Sequence, residues 1–273
     1  MGWSRSAAIS TRCGADLAVS TQSIRQHTAP LAGVAWRIVE DQSAIATRPL
    51  TDTDDQQALL ERLIETAKPP APGPEREPAF RGLHYLLATP FRYPPLRYGS
   101  RFGGRHERGL WYGARRPATA LAEKAFYLLA NWRQSHAPTQ PTQNRFTAFR
   151  VGLKTGRGLD LTAEAFRRQQ TALASADAYA AAQTTGTRMR AAGVEAFTYR
   201  SARDPDGGDA VGVFSPAAFA SKTPDFKRFQ TWKMTSDQRQ ITFEHAVPGR
   251  APRRFTFHAE CFEIGGAFPD PVA

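Results

Sequence analysis

The sequence predicts an α+β domain with a mixed central sheet and flanking helices. Helix-like and strand-like segments follow one another without the regular alternation that a parallel α/β sheet requires. At 273 residues, of which 41% are hydrophobic, the chain is long enough to bury a large core. No internal repeat divides it into smaller units. These observations favour one main domain with a small helical N-terminal extension.

The first 78 residues are predicted to precede that domain. Residues 1–34 are rich in Ser and Arg and predict a disordered leader, with an organellar transit peptide as the weaker alternative. Residues 35–68 predict the small extension, a short strand AWRIVE followed by an amphipathic helix with the apolar stripe Leu59, Leu60, Leu63 and Ile64. Five prolines within residues 69–78 exclude regular structure and predict a linker.

Helices and strands then alternate irregularly in the main domain, predicted over residues 79–246. The segment GLWYGA is typical of a short buried strand. Pro117 suits the first turn of a helix that runs to about Arg133, because its missing N–H would be unpaired there in any case. RFTAFRVG alternates like a strand, and residues 176–193 predict an Ala-rich helix that Gly193 ends with a left-handed cap.

Strand-like segments dominate the rest of the chain. VEAFTYRS and AVGVFS are two predicted strands joined by the turn-rich ARDPDGGD. TWKMT, ITFEH and RFTFHAE predict three more short strands. The last of these falls in a predicted C-terminal strand and tail over residues 247–273.

The positive charge of the chain is concentrated in one region. Lys and Arg number 36 against 25 Asp and Glu, a formal net charge of +11. Residues 81–150 hold twelve Lys and Arg and two Asp and Glu, so this segment carries most of the excess. A local excess of this kind predicts an anion-binding site, for nucleic acid, a membrane surface or a phosphate-bearing small molecule.

Several classes of site are not supported by the sequence. Cys13 and Cys261 stand far apart, without the spacing of a zinc site or a disulfide framework, and this favours a reducing cytoplasm. The six histidines are dispersed, so no metal centre is predicted. No apolar run reaches the roughly 18–20 residues that span a bilayer, and no membrane partner is expected. There is no GxSxG nucleophile motif, and the GRG at 156–158 lacks the context of a phosphate loop.

Glu123 is an unusual residue in the helix ATALAEKAFYLLANWR. It shares its side of the predicted helix with Tyr127 and Ala130, neither of which favours solvent. The carboxylate is therefore expected to be partly enclosed, which is costly unless a cation or a function accounts for it. The alternative interpretation is a surface acid that balances Lys124 or Arg116.

Arginines and aromatic residues are interleaved ahead of that helix. Arginine forks bind phosphate oxygens and aromatic faces stack on bases or on a nicotinamide ring, so the combination suits a nucleotide. For any single arginine, a solvated surface cation is the alternative. The residues concerned are Arg81, Arg92, Arg97, Arg101 and Arg105, with Phe91, Tyr93, Tyr98, Phe102, Trp111 and Tyr112. Farther along, Ser201 ends a predicted strand, either as a turn residue or as part of a site.

Four of these residues together resemble the RES domain family, named for its Arg, Glu and Ser. An arginine in GSRF is followed eleven residues later by a tyrosine, eleven after that by a glutamate, and much later by a serine in RSARDP. They are Arg101, Tyr112, Glu123 and Ser201. The resemblance covers about residues 80–246 and includes the LDLT, YAAAQ and GVFSPAAF segments.

The resemblance implies a function. RES proteins are toxins of type II toxin–antitoxin systems that destroy NAD by hydrolysis or phosphorolysis of the nicotinamide–ribose bond, on a fold similar to that of ADP-ribosyltransferases. A partner antitoxin with an Xre-like helix-turn-helix neutralises them. For this chain the resemblance implies NAD as the substrate, no cofactor, and such an antitoxin as partner.

It also implies a role for each matching residue. Arg101 and an earlier arginine, either Arg81 or Arg92, would hold the pyrophosphate or ribose, and Arg105 would assist in substrate binding. Tyr112 would stack near the nicotinamide end. Glu123 would stabilise the oxocarbenium-like ribosyl cation, and Ser201 would help to orient the ribose.

Two other functions stay open at this point. A nucleic-acid-binding module would use the basic, aromatic segment to follow a phosphate backbone. An ADP-ribosyltransferase would pass the ribosyl group to a macromolecule. A homo-oligomer is also open, and the N-terminal extension has three alternative roles: covering the site, mediating oligomerisation or docking the antitoxin.

Overall fold

The computed structural model describes residues 17–41, 53, 55–56, 59–60, 63, 78–92, 98–134 and 142–269. Five α-helices and eight strands form within these residues. The helices are α1 (Thr21–His27), α2 (Tyr85–Arg92), α3 (Pro117–Gln134), α4 (Arg167–Leu173) and α5 (Ala180–Ala191). The strands are β1 (Ala29–Glu40), β2 (Trp111–Ala114), β3 (Thr142–Asp160), β4 (Ala196–Arg200), β5 (Asp209–Val213), β6 (Gln230–Ser236), β7 (Gln240–His245) and β8 (Arg253–His258).

The eight strands form one mixed sheet, which confirms the predicted fold class. Their order is β1-β2-β5-β4-β3-β6-β7-β8, and β1 also pairs with β3, so the first five strands close on themselves. β3 and β4 run parallel, whereas the other described neighbours are antiparallel. The predicted strands VEAFTYRS and AVGVFS correspond to β4 and β5, and TWKMT, ITFEH and RFTFHAE correspond to β6, β7 and β8. Gly193 follows α5 with a φ of 77°, as its predicted left-handed cap requires.

The N-terminal segment corrects the prediction of a disordered leader for residues 17–34. Ser20 caps α1 through its side chain, and Ile24 of that helix is fully buried beside Met189 of α5. β1 pairs with β3 from Ala29 opposite Gly158 to Glu40 opposite Phe146. The Ser- and Arg-rich composition concealed this order, because a few apolar residues suffice to dock a short helix and a strand on an existing core.

The predicted domain boundaries also change at the C-terminal end. β8 pairs with β7 along its whole length, and Phe257 and Phe262 are buried in the same cluster as Phe126 of α3. Residues 253–262 therefore belong to the main domain and are not a separate tail. The predicted linker at 69–77 lies outside the described residues, as does most of the amphipathic helix, in which the described Leu59 and Leu63 are exposed.

The two sides of the sheet carry different helices. On β2, Trp111 points to the side where Phe91 of α2 packs, and Tyr112 points to the opposite side with Tyr199 of β4. The helix α3 packs on that second side, where its residue Leu121 is fully buried. This alternation follows from the period of two along a strand, and it decides which side chains can meet Glu123.

Gly186 of α5 lets the turn around Phe102 approach the helix backbone. A Cβ at Gly186 would overlap the carbonyl oxygen of Phe102. We expect Gly186→Ala to lower the free energy of unfolding, because overpacking costs about 1–3 kcal/mol and outweighs the ~1 kcal/mol that alanine returns in helix propensity. Urea unfolding measures the change.

Gly156 provides the control for that substitution. It lies in β3, and a Cβ there would meet nothing within 4 Å. Gly156→Ala should leave the unfolding midpoint unchanged or raise it slightly. Equal destabilisation by both substitutions would contradict the close approach at Gly186.

Candidate functional site

Glu123 lies in the second turn of α3, as the sequence predicts. Pro117 begins the helix, and the buried side chains of Ala122, Ala125 and Phe126 hold it against the sheet. Glu123 is itself half-buried. The core therefore fixes the backbone that presents the carboxylate, and the expectation of partial enclosure is confirmed.

Ser201 is the direct partner of Glu123. The residue follows β4, and its Oγ lies 2.5 Å from Oε1 of Glu123. The same Oγ accepts the backbone N–H groups of Arg203 and Asp204, each at 3.1 Å. A serine hydroxyl has one donor and two acceptor positions. Because both acceptor positions are used, its proton is donated to the carboxylate, and Ser201 acts here as an orienting donor.

A second hydrogen bond joins α3 to the turn after β4, one helical turn before the bond between Ser201 and Glu123. Thr119 donates from its Oγ1 to Oδ2 of Asp204 at 2.6 Å, and Arg116 lies 3.5 Å from the same oxygen. Residues 119 and 123 are neighbours on one face of a helix. The turn after β4 is therefore docked along that face. Gly208 permits the contact, since a Cβ there would overlap both Thr119 and Asp204.

Arg101 is a buried cation on the same side of the sheet. It is 6% exposed, and its Nη1 donates to the carbonyl oxygens of Ser175 at 2.5 Å and Leu173 at 3.3 Å. Its guanidinium carbon lies 4.7 Å from the ring centre of Tyr179. Burial lowers the pKa of Arg101, but Tyr179 and Glu123 raise it, and the net pKa is raised. Arg101 thus stays charged and within the electrostatic reach of Glu123.

Tyr112 supports the turn that carries Arg101. Its hydroxyl accepts the N–H of Phe102 at 3.0 Å and shares a hydrogen bond of 3.0 Å with Oγ of Ser100. Burial raises the pKa of Tyr112 to about 12. The Tyr112 hydroxyl therefore binds the two residues that flank Arg101, Ser100 and Phe102. The predicted role of Tyr112 in stacking does not describe this contact.

Three tyrosines surround the pair formed by Arg101 and Glu123. Burial raises the pKa values of Tyr127 and Tyr199 well above the usual range, and Glu123 raises both further. Tyr127 is nevertheless 43% exposed overall. The spacing of four residues between Glu123 and Tyr127 indicated that these two side chains lie on one face of the helix. Tyr179 belongs to the YAAAQ segment and Tyr199 to the predicted strand VEAFTYRS, but neither pattern indicated a position near Glu123, because the fold brings them in from distant segments.

Three predicted binding residues are not brought to Glu123. Arg81 is exposed beside the 3-10 turn before α2, and Arg92 is the last residue of α2, the helix on the opposite side of β2. Arg105 is exposed and donates to His106 at 2.7 Å. The sequence interleaves these arginines with aromatic residues, but the sheet separates Arg81 and Arg92 from the side that Tyr112 faces.

Two cavities in the described part of the chain have linings that do not include Glu123. One groove of about 1150 Å³ is lined by residues of β3, β6 and β7 with mixed charge, and a cavity of about 320 Å³ lies next to Arg115. Within the described part of the chain, no three His, Cys, Asp or Glu side chains gather as a metal site would require. In the same residues, no helix is long and apolar enough to cross a membrane.

Fold and site together define an α+β protein with a serine-oriented glutamate next to a buried arginine. The family model of the RES domain matches residues 76–237, and the chain belongs to the RES domain family. This confirms the resemblance, with bounds that differ by a few residues from those predicted. No curated protein matches the chain in sequence.

One solved structure with similarity to this chain is the crystal structure of the M. tuberculosis MbcT–MbcA toxin–antitoxin complex. The match has 12% sequence identity and a TM-score of 0.41, and it covers 80% of this chain and 92% of the other. A likeness at that level carries no argument about function.

The buried hydroxyl of Tyr112 predicts a pH-dependent contribution to stability. The unfolded tyrosine ionises near pH 10 and the folded one only near about 12, so the native state binds more protons in this range. The contribution of Tyr112 is therefore complete below pH 10 and is lost as the pH rises toward 12. We expect Tyr112→Phe to be less stable than wild type by about 1–3 kcal/mol at pH 7, because the Phe102 N–H loses its partner.

Urea unfolding of both proteins from pH 7 to 11 measures this effect. The difference in unfolding free energy between wild type and Tyr112→Phe should narrow above pH 10. A difference that stays constant with pH would show that the Tyr112 hydroxyl is not protected from ionisation.

Proposed function

We propose that this chain is a RES-type toxin that degrades NAD by cleaving the nicotinamide–ribose N-glycosidic bond. The observation that carries the proposal is the half-buried carboxylate of Glu123, oriented by the Ser201 hydroxyl 2.5 Å away and placed near the buried Arg101. Membership of the RES family supports an enzymatic toxin. The site residues supply the chemistry that this bond requires.

Glu123 acts by stabilising positive charge. When the bond between C1′ of the ribose and the nicotinamide nitrogen breaks, its electron pair leaves with nicotinamide, which departs neutral, and positive charge develops on the ribosyl ring. A fixed carboxylate in a poorly solvated place stabilises that charge. Nicotinamide needs no protonation to leave, so one carboxylate suffices. Water or phosphate then attacks C1′, and an attacking water loses its proton to solvent.

Arg101 and Ser201 prepare this site. Ser201 holds the carboxylate in one orientation, which lowers the cost of aligning it with the ribose. Arg101 uses its Nη1 for two carbonyl groups, and its other N–H donors make no hydrogen bond within the described residues. Those donors suit a pyrophosphate oxygen. We propose the partly exposed Tyr127, four residues after Glu123 on α3, as a further contact for the nicotinamide or ribose.

The basic segment offers less support for nucleic-acid binding than its composition indicates. Several of its arginines are engaged within the protein: Arg101 with backbone carbonyls, Arg115 with Thr198, Arg116 with Asp204 and Arg150 with Asp225. A phosphate backbone would have to compete with these internal contacts for the same guanidinium groups. We therefore favour the small-molecule substrate.

The first experiment compares NAD consumption by wild type and Glu123→Gln. Loss of one preorganised electrostatic group typically lowers the rate by about 10²–10³-fold, so we expect a fall in kcat of this size, with nicotinamide as a product of the wild type. Chromatography of the products with and without phosphate identifies the acceptor. Mass spectrometry of added macromolecules detects transfer of ADP-ribose, which would indicate a transferase instead.

Glu164→Gln is the matched control. Glu164 is an exposed acid that pairs with Arg167 at 3.2 Å on the surface, and its loss should leave NAD consumption unchanged. Intact NAD after incubation with folded wild type would overturn the proposal. A salt-dependent affinity for RNA or DNA that is insensitive to Glu123→Gln would then favour the nucleic-acid module.

We also propose that the protein acts in the cytoplasm and is neutralised by an antitoxin with an Xre-type helix-turn-helix. Expression of the wild-type chain alone should stop bacterial growth, and co-expression with such a protein from a neighbouring reading frame should restore it. Glu123→Gln should be harmless in both cases. Growth arrest by Glu123→Gln equal to that of wild type would separate toxicity from the carboxylate.

A further inference from the structure

Arg203 is a buried arginine whose position the functions above leave unexplained. It is 2% exposed, and its Nε and Nη1 atoms have no hydrogen-bond partner among the described residues. Its guanidinium carbon lies 3.4 Å from the ring centre of Phe126 on α3. Burying unpaired guanidinium donors is costly, and a chain retains such a group where its geometry matters.

The donor that is used, Nη2 of Arg203, reaches the loop between α4 and α5. It donates to the carbonyl oxygen of Ala176 at 2.7 Å and to the hydroxyl of Tyr179 at 3.3 Å. Arg101 donates to the carbonyl oxygens of Leu173 and Ser175 in the same stretch. Two arginines therefore hold residues 173–176 from two sides. The carbonyl groups at the end of a helix need such external partners.

Tyr179 connects the two arginines. Its ring lies under the guanidinium of Arg101 at 4.7 Å, and its hydroxyl receives the hydrogen bond from Arg203. The backbone of Arg203 lies on the turn whose Ser201 contacts Glu123, because its N–H is bound by Ser201 Oγ. Arg203 therefore contacts both Tyr179, which packs on Arg101, and Ser201, which orients Glu123.

We propose that Arg203 is a positioning residue that holds the α4–α5 loop and Tyr179, so that Arg101 is kept in place to bind an anionic phosphoryl group of the substrate. This inference rests on the proposed function, in which Arg101 binds the pyrophosphate of NAD. A contact that Arg101 makes equally in the ground state and the transition state affects KM and leaves kcat nearly unchanged. Arg203 affects the contact between Arg101 and the substrate by positioning Arg101. Loss of Arg203 should therefore raise KM and leave kcat nearly unchanged.

The test uses Arg203→Met, which keeps an unbranched apolar stem against Phe126 and removes the donors. We expect the KM for NAD to rise about tenfold or more, the effect of losing a charge-assisted hydrogen bond, with kcat within about threefold of wild type. Partial unfolding would instead lower the apparent kcat and leave KM unchanged. Thermal unfolding of each variant measures the folded fraction directly.

Tyr179→Phe removes the hydroxyl that Arg203 reaches, together with its hydrogen bond to Tyr127, and keeps the ring under Arg101. Tyr179→Phe should also raise the KM for NAD, by a smaller factor than Arg203→Met does. Because both substitutions break the hydrogen bond between Arg203 and Tyr179, the effect of the double variant on the binding free energy derived from KM should be smaller than the sum of the two single effects. Fully additive effects would overturn the proposal. Arg188→Met is the matched control, since Arg188 donates to the carbonyl oxygen of Val19, away from this site, and it should leave KM unchanged.

Hydrogen exchange gives a readout that does not need turnover. Arg203→Met should speed exchange of the amides at 173–179 relative to wild type, and Arg188→Met should not. An unchanged KM in Arg203→Met, with an active wild type, overturns the proposal while the function stands. If the wild type does not consume NAD, the proposed function fails, and unchanged exchange at 173–179 would then overturn the positioning role as well.

Discussion

The hydrogen bond between Ser201 and Glu123 sets the geometry of the site. It joins a helix residue to a turn residue 78 positions later, so neither local segment can form it alone. The helix is held by its apolar face, and the turn is held by Asp204 on Thr119 with Gly208 at the point of contact. A bond of 2.5 Å needs both supports, because an error of an ångström on either side would break it. The orientation of the carboxylate is thus a product of core packing.

The sheet that provides this packing extends beyond the region matched by the RES family. The match covers residues 76–237, whereas β1 lies before it and the hairpin of β7 and β8 after it. β1 closes the first five strands by pairing with β3, and Phe257 and Phe262 of the C-terminal segment pack against α3. The helix that carries Glu123 therefore depends on residues outside the family region. A fragment limited to the match would expose these apolar surfaces.

Periodicity and residue spacing predicted a large part of this structure. α3 begins at Pro117, β4 and β5 flank the turn after Ser201, and Glu123 is half-enclosed, each as expected from local pattern. What could not be predicted depends on contacts between distant segments. Arg81 and Arg92 were equivalent candidates in sequence for a second binding arginine beside Arg101, yet the alternation of side chains along β2 puts α2 on the other side of the sheet. Tyr179 and Arg203 lie in the YAAAQ and RSARDP segments of the resemblance, but neither segment indicated that the two side chains meet, because that contact depends on the fold.

The arginines show why composition alone misdirects. A segment with ten net positive charges in its sequence indicates a surface for polyanions, but within it Arg101 and Arg115 donate to backbone carbonyls of the protein itself. Arginines outside that segment do the same: Arg37 donates to the carbonyl of Tyr112, Arg190 to that of Arg108 and Arg203 to that of Ala176. A guanidinium has five N–H donors in a rigid fork, so it can bridge chain segments that no other side chain could join. Arg101 does this with one nitrogen, and the proposed contact with pyrophosphate would use its other donors. The same residue type therefore builds the frame of the site and supplies its charge.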